Sequence, residues 1–200
     1  MSPDSTSWNA RYLETNTPWD LGKATPAFEA LLASDLAPMP GKLLVPGCGR
    51  GHDAILFAEH GFEVIGIDFA PAAIDFAREL ARKRGVAARF EVADLFDLPS
   101  GDLEAFDLVL EYTCFCAIEP DRRDDYARVV SELLVEGGVL LGLFFPTGPF
   151  GSGEGPPHRV TRDDVEQHFG ERFAIERLEP PAVSDPGREG LELLGRLKKR

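Results

Sequence analysis

Glycines at 47, 49 and 51 follow directly on the apolar run Leu43 to Val45. That spacing lets a backbone turn sharply and approach a ligand where a side chain would collide. A helix starting near His52 would aim its free N–H groups at the turn, which favours a carboxylate or another anionic group there. The stretch Lys42 to Asp53 is therefore a candidate cofactor cradle. Asp68 closes the next apolar stretch, Phe62-Glu-Val-Ile-Gly-Ile-Asp68, and Asp94 closes Arg89-Phe-Glu-Val-Ala-Asp94. An acid ending the second strand is where nucleotide-binding α/β folds hold ribose hydroxyls.

Other candidates lie outside the cradle, and each has a plain structural alternative. Trp19 sits among turn residues in Thr17-Pro-Trp-Asp-Leu-Gly-Lys-Ala-Thr-Pro26. Together with Trp8 and Tyr12 it either folds an N-terminal arm onto the domain or forms a lid. Aromatic faces would suit a cationic ligand, a positive charge over an indole being worth about 0.5–2 kcal/mol. His158 follows Gly155-Pro-Pro157 in a loop, where it either orients or deprotonates a substrate or is simply exposed. Cys48 reads as a small residue packed beneath the turn. Cys114 and Cys116 lack the partners that a zinc site needs. Arg122 and Arg123 read as a solvated helix start, or as a hold on an anionic substrate.

The elements that must position these residues alternate between strand and helix. A short helix is expected over Trp8 to Glu14, after a frayed Met1 to Ser7. Thr25 is an N-cap candidate for a helix opening at Pro26 and running through Phe28, Leu31 and Leu32. The helix after the glycine turn stops at Gly61, and the one from Pro71 stops at Gly85. A fourth strand spans Phe106 to Tyr112, a helix Asp121 to Leu134, and a fifth strand Val139 to Phe145 after Gly137-Gly138. Pro146 to Pro157 reads as a functional loop, and Thr161 caps a short helix. Strands over Phe173 to Leu178 and Gly190 to Leu197, with no helix between them, suggest a hairpin. The fold expected is α/β, a Rossmann-like, doubly wound and mostly parallel seven-stranded sheet. Its C-terminal strand runs antiparallel, and a helical arm precedes it. One domain accounts for residues 1–200, with 1–36 as arm or lid and 42–200 as the sheet.

Composition narrows the partners. Apolar residues make up 44% of the 200-residue chain and charged ones 28%, which suits a soluble globular protein. A net charge of -13 argues against nucleic acid or an anionic membrane, because phosphate binding needs clustered Lys and Arg. A small molecule fits better. No basic-then-apolar leader opens the chain, no apolar run is long enough to span a bilayer, and three cysteines suit a reducing compartment. A cytoplasmic monomer is expected.

A dinucleotide oxidoreductase would need glycine at 52, where His52 stands, so its G-x-G-x-x-G spacing is absent. The spacing here is G-x-G-x-G. With an acid ending each of the second and third strands and a terminal hairpin, the chain resembles the class I S-adenosylmethionine-dependent methyltransferases. Within them, four segments look like the thiopurine methyltransferase family, in its thiol and halide methyltransferase branch: Val45-Pro-Gly-Cys-Gly49, Trp19-Asp-Leu-Gly-Lys-Ala-Thr-Pro26, Glu111-Tyr-Thr-Cys-Phe-Cys-Ala-Ile-Glu-Pro120 and Gly155-Pro-Pro157. The resemblance implies S-adenosyl-L-methionine as cofactor, S-adenosyl-L-homocysteine as product, and a small soft nucleophile as methyl acceptor.

By that resemblance Gly47, Gly49 and Gly51 would wrap the methionine end, and Asp68 would accept from both ribose hydroxyls. Asp94 and the backbone of Leu95 would meet the adenine edge. Glu111 and Tyr112 would line the methyl-donor site, Trp19 would close over the cofactor, and Tyr112 and His158 would serve the chemistry. No metal is implied. Phe28, Tyr112, Phe115, Phe145 and Phe150 are candidates for apolar pocket walls. A cofactor-binding module without catalysis is the alternative from another class.

Overall fold

A computed structural model describes residues 5–98, 105–150 and 155–200. The chain divides into two compact units, Met1–Leu98 and Pro99–Arg200.

The first unit carries three parallel strands, β1 (Lys42–Pro46), β2 (Glu63–Asp68) and β3 (Ala88–Val92), in the order β3-β2-β1. Val64 to Asp68 are all buried, which explains an unbroken apolar run where a one-sided strand would alternate. Four helices accompany them: α1 (Ser5–Leu13), α2 (Pro26–Leu32), α3 (His52–Glu59) and α4 (Pro71–Arg84). Helix α4 opens on Pro71, and Gly85 ends it at φ 68° with Arg82, Lys83 and Arg84 in the last turn, where they complement the helix dipole. Its Ala73, Ile74, Ala77 and Ala81 face the core. Phe57 packs edge-on against Phe28 and Phe62, at 5.8 and 5.2 Å between ring centroids.

The second unit carries β4 (Phe106–Tyr112), β5 (Leu134–Phe144), β6 (Phe173–Glu179) and β7 (Leu193–Lys199), in the order β4-β5-β7-β6. Strand β5 runs parallel to β4, and β7 runs antiparallel to both β5 and β6. The seven-stranded, mostly parallel sheet with a reversed last strand is the fold expected from the sequence. Helices α5 (Arg123–Leu133) and α6 (Arg162–Phe169) complete the unit. Thr161 and Asp164 form a reciprocal capping box at the start of α6. Phe115, Tyr126, Phe144 and Phe169 form an aromatic core, with Phe115 and Phe169 centroids 5.1 Å apart.

Several boundaries depart from the sequence reading. Helix α1 includes Ser5 to Ser7, which the reading frayed, and ends at Leu13; residues 1–4 lie outside those described. Strand β3 stops at Val92, because Asp94 turns to cap a 3-10 turn, Leu95–Asp97. Strand β5 starts at Leu134 and includes Gly137 and Gly138, instead of following them. Its pairing steps from Phe106↔Leu134 to Leu108↔Val139, so the glycine pair forms an irregularity inside the strand, with Gly137 at φ 72°. A 3-10 turn, Pro120–Arg122, precedes α5, and β7 begins three residues after Gly190, whose φ of 72° is not that of a strand. Residues 151–154 of the expected loop lie outside those described.

The outermost strands β3 and β6 bear charge. Arg89 Nε is 2.9 Å from Glu91 Oε1 on β3. On β6, Arg177 pairs with Glu179, and Glu176 Oε2 is 2.9 Å from Arg196 Nε of β7.

Candidate active site

The glycine turn of the first unit is built by three left-handed residues, Gly47, Gly49 and Gly51, at φ 59°, 52° and 77°. Space and conformation both require glycine at 51, since a Cβ there would lie 2.9 Å from Ala77 Cβ and from a Phe90 ring carbon. The turn is pinned by Cys48 N–H donating to the Ile67 carbonyl at 2.9 Å, and Gly51 N–H to the Cys48 carbonyl at 2.9 Å. Asp68 binds the turn to its own strand end. One carboxylate oxygen accepts from Gly49 N–H at 3.0 Å and the other from Ala70 N–H at 2.9 Å. Burial raises its pKa, against the pull of those two hydrogen bonds. Cys48 lies beneath the turn, and burial pushes its thiol well up, so it packs as a small apolar group.

The arm is attached to this cradle through Asp20, Thr25, Arg50, His52 and Asp53. Arg50 Nη1 donates to Asp20 Oδ2 at 2.7 Å, and His52 Nε2 lies 3.7 Å from Asp20 Oδ1. Thr25 stands at the N-cap of α2, but its hydroxyl does not cap that helix. It donates to Asp53 Oδ2 at 2.8 Å, while its backbone N–H donates to Asp53 Oδ1 at 2.7 Å, tying the start of α2 to the start of α3. Trp19 donates from its indole to Tyr12 Oη at 3.2 Å and meets Trp8 edge-on at 5.0 Å. The Arg11 guanidinium lies 4.3 Å from the Trp19 ring centroid, so a cation of the chain itself occupies the aromatic face. Tyr12 Oη is 3.0 Å from where a Gly49 Cβ would stand, which sets the arm directly over the turn. Asp94 accepts from Phe96 N–H at 2.9 Å, and Leu95 is buried beside it.

The site residues of the second unit form two clusters at the end of β4. Glu111 is buried, and one of its oxygens accepts from Cys114 N–H at 3.1 Å and Phe115 N–H at 2.7 Å. Its other oxygen accepts from the Tyr126 hydroxyl. Burial pushes Glu111 up to about 7, even though all three donors pull the other way. Its carboxyl thereby holds the turn after β4, in which Thr113 is left-handed at φ 59°, a strained state for a β-branched residue.

Tyr112 anchors the second cluster. Its hydroxyl donates to Glu192 Oε1 at 2.6 Å and accepts from the Arg188 guanidinium. The Arg188 carbon lies 5.0 Å from the Tyr112 ring centroid and 4.8 Å from that of Phe145. Arg188 and Glu192 are both buried, and burial raises the Tyr112 phenol, so that it stays protonated. Nothing in the sequence reading named Arg188 or Glu192. The only local signal was two charged residues in a glycine-bearing stretch before a strand.

His158 is half-buried and so not a loosely exposed loop residue. Its backbone N–H donates to the Cys116 carbonyl at 2.7 Å, and its Nε2 lies 3.5 Å from Glu119 Oε2. Gly155 makes room for the ring, since a Cβ there would stand 2.3 Å from His158 Nδ1. The solvated-start reading of Arg123 is corrected. Arg123 is buried over the Phe115 ring at 4.9 Å and donates to the Arg159 carbonyl at 2.9 Å, while Arg122 stays exposed. Phe28 and Phe115 are fully buried core residues, Phe145 flanks Arg188, and the more exposed Phe150 packs edge-on to Phe145 at 4.8 Å. The three cysteines are free thiols.

A seven-stranded sheet with a reversed last strand, a G-x-G-x-G turn and an acid closing β2 define a class, the S-adenosylmethionine-dependent methyltransferases. The sequence matches the family model described as Thiopurine S-methyltransferase (TPMT) over residues 3–193, and the chain belongs to that family. Thiocyanate methyltransferase 1 of Brassica oleracea is 36% identical over 96% of this chain and 84% of its own length. Probable thiol methyltransferase 2 of Arabidopsis thaliana is 34% identical over all of this chain and 88% of its own. Among solved structures, one from work on the conversion of a disulfide bond into a thioacetal group during echinomycin biosynthesis has a TM-score of 0.79. It is 29% identical and covers 98% of this chain and 92% of that one. The enzyme is thus a methyltransferase that uses S-adenosyl-L-methionine on a small molecule.

Proposed function

We propose that this enzyme transfers the methyl group of S-adenosyl-L-methionine to a small soft nucleophile, a thiol, hydrosulfide or halide, by direct in-line displacement. The observation that carries the acceptor class is the Arg188 guanidinium buried between the Tyr112 and Phe145 rings. The Tyr112 and Phe145 rings would give an acceptor apolar walls that strip its water, and desolvation with alignment is what such a displacement needs. The relatives named for thiocyanate and thiols support the same class.

The cofactor supplies an activated methyl group when bound. Gly47, Gly49 and Gly51 accommodate its methionine end, Asp68 receives the ribose hydroxyls, and Asp94 with the Leu95 backbone meets the adenine. Trp19 closes from the arm. Glu111 acts by holding the turn at residues 113–116, Tyr112 lines the acceptor side, and His158 orients an acceptor. The chain works as one domain with residues 1–36 as its arm, and as a cytoplasmic monomer without a nucleic-acid partner. Its net charge of -13 supports the last point. Among the described residues no helix is long and apolar enough to cross a membrane.

The test is S-adenosylhomocysteine formation with hydrosulfide, iodide, a small aryl thiol, a thiopurine and an oxygen nucleophile. Turnover confined to sulfur and halide acceptors is expected. Turnover of the oxygen nucleophile alone would overturn the acceptor class.

A further inference from the structure

Within the first unit, the arm is held on the glycine turn by a cluster of charges at the start of α3. Asp20 is its centre, with a side chain 8% exposed. Its Oδ2 accepts from Arg50 Nη1 at 2.7 Å, while its Oδ1 accepts from Gly22 N–H at 2.8 Å and lies 3.7 Å from His52 Nε2. The Arg50 guanidinium carbon lies 5.0 Å from the Phe76 ring centroid and 5.8 Å from that of Tyr12, so it joins α4 and α1 to the turn. His52 is the first residue of α3, and its ring centroid is 6.2 Å from that of Phe76. One carboxylate therefore serves a permanent cation, Arg50, and a conditional one, His52.

A proton on His52 is unwelcome in this position. A cation in the first turn of a helix opposes the helix dipole. Burial lowers the His52 pKa from its ordinary 6.5; Asp20 pulls it back up, and Arg50 and the more distant Arg84 of α4 push it down again. The neighbouring acid, Asp53, is engaged by Thr25 through both oxygens. A histidine whose pKa is lowered in the closed arrangement supports that arrangement fully above 6.5, and the support is lost as pH falls through the lowered value.

We propose that His52 is a proton-operated release for the arm. Neutral, it leaves Asp20 to Arg50, and the arm stays on the turn. Protonated, it sets a second cation beside Arg50, and the segment carrying Tyr12 and Trp19 lifts from the Gly49 backbone that Tyr12 covers. Thr25, held by Asp53, is the fixed end of the movement. Gly22, at φ 68° with open space around it, lies between that end and Asp20. The release belongs to the unliganded chain and so goes beyond the methyl-transfer reading; where that reading holds, acid opens the way to the cradle.

Both tryptophans of the chain, Trp8 and Trp19, lie in the arm, so intrinsic fluorescence reports on it directly. Acrylamide quenching of the unliganded protein is to be followed from about pH 8 to about pH 5, with far-ultraviolet circular dichroism in parallel. Loss of one such ion pair shifts an equilibrium about two- to five-fold, and the quenching constant is expected to rise by about that factor below pH 6.5, with emission moving to the red. His52→Gln, which takes up no proton in this range, should keep the quenching flat. In Asp20→Asn the bridge is already broken, so quenching should be high at the alkaline end and rise little further. A flat curve in the unaltered protein, a full rise in either variant, or a rise matched by loss of the circular dichroism signal would overturn the proposal. The measurement needs no cofactor, so its failure and that of the methyl-transfer reading are separate results.

Discussion

The two units build their candidate sites in opposite ways. In the first, backbone does the work: three left-handed glycines, two N–H groups on Asp68, and core packing against Ala77 and Phe90 that leaves no room for a Cβ. In the second, side chains do it: Tyr112, Arg188 and Glu192 in one cluster, Glu111 and Tyr126 in another. A backbone cradle recognises a ligand that never changes and tolerates little substitution. A side-chain cluster can be altered residue by residue, which is what the proposed acceptor site would need, since relatives are named for thiocyanate, thiols and thiopurines.

If that contrast holds, the sharpest break comes from the cradle. Gly51→Ala forces a side chain onto a backbone at φ 77° and into the Ala77 and Phe90 contacts. It should cost about 2–4 kcal/mol in chemical denaturation and weaken cofactor binding more than tenfold by calorimetry. Unaltered stability and binding would mean that the turn gives way, and that the first unit is no more rigid than the second.

A smaller effect is expected from the buried acid of the second unit. Glu111 has its pKa raised from 4.5 to about 7, so the folded protein binds its proton more tightly than the unfolded chain does. Stability contributed by that proton is complete at and below pH 4.5 and is lost as pH rises towards about 7. The loss should be roughly 1–3 kcal/mol in denaturation across that range. Glu111→Gln, which cannot ionise, should flatten this dependence, and a slope that survives the substitution would assign it elsewhere. The smallest effect concerns the arm. Asp20→Asn removes the charge facing Arg50 and His52, which is worth about 0.5–1 kcal/mol, and the cofactor Kd should rise about two- to five-fold. The loss should shrink in high salt, and a salt-independent loss would argue for packing instead.

The same contrast explains what was legible in the sequence. The cradle and Asp68 lie within 22 residues, from Gly47 to Asp68, and their signals are local: glycine spacing, an apolar run, an acid at its end. The mostly parallel sheet and the reversed β7 followed from helix and strand alternation and from a missing helix before the last strand. Tyr112 and Glu192, by contrast, are 80 residues apart, and Thr25 and Asp53 are 28 apart, so their pairings have no local spacing to read. Arg123 departs from expectation because a basic residue at a helix start is ordinarily solvated, and only packing over Phe115 and the Arg159 carbonyl reverses that. Glycine pairs commonly break strands, which places Gly137-Gly138 before β5 on sequence alone, whereas in the structure they form an irregularity within it.

The charged outer strands bear on how this protein behaves at high concentration. A strand at the margin of a sheet offers unpaired N–H and C=O groups that another chain can extend, which is a common start for aggregation. Here Arg89 and Glu91 flank one margin, and Glu176, Arg177 and Glu179 flank the other. A strand arriving from a second copy would have to dehydrate those ion pairs before forming its first ladder bond, so colloidal stability is built into the side chains that catalysis leaves unused.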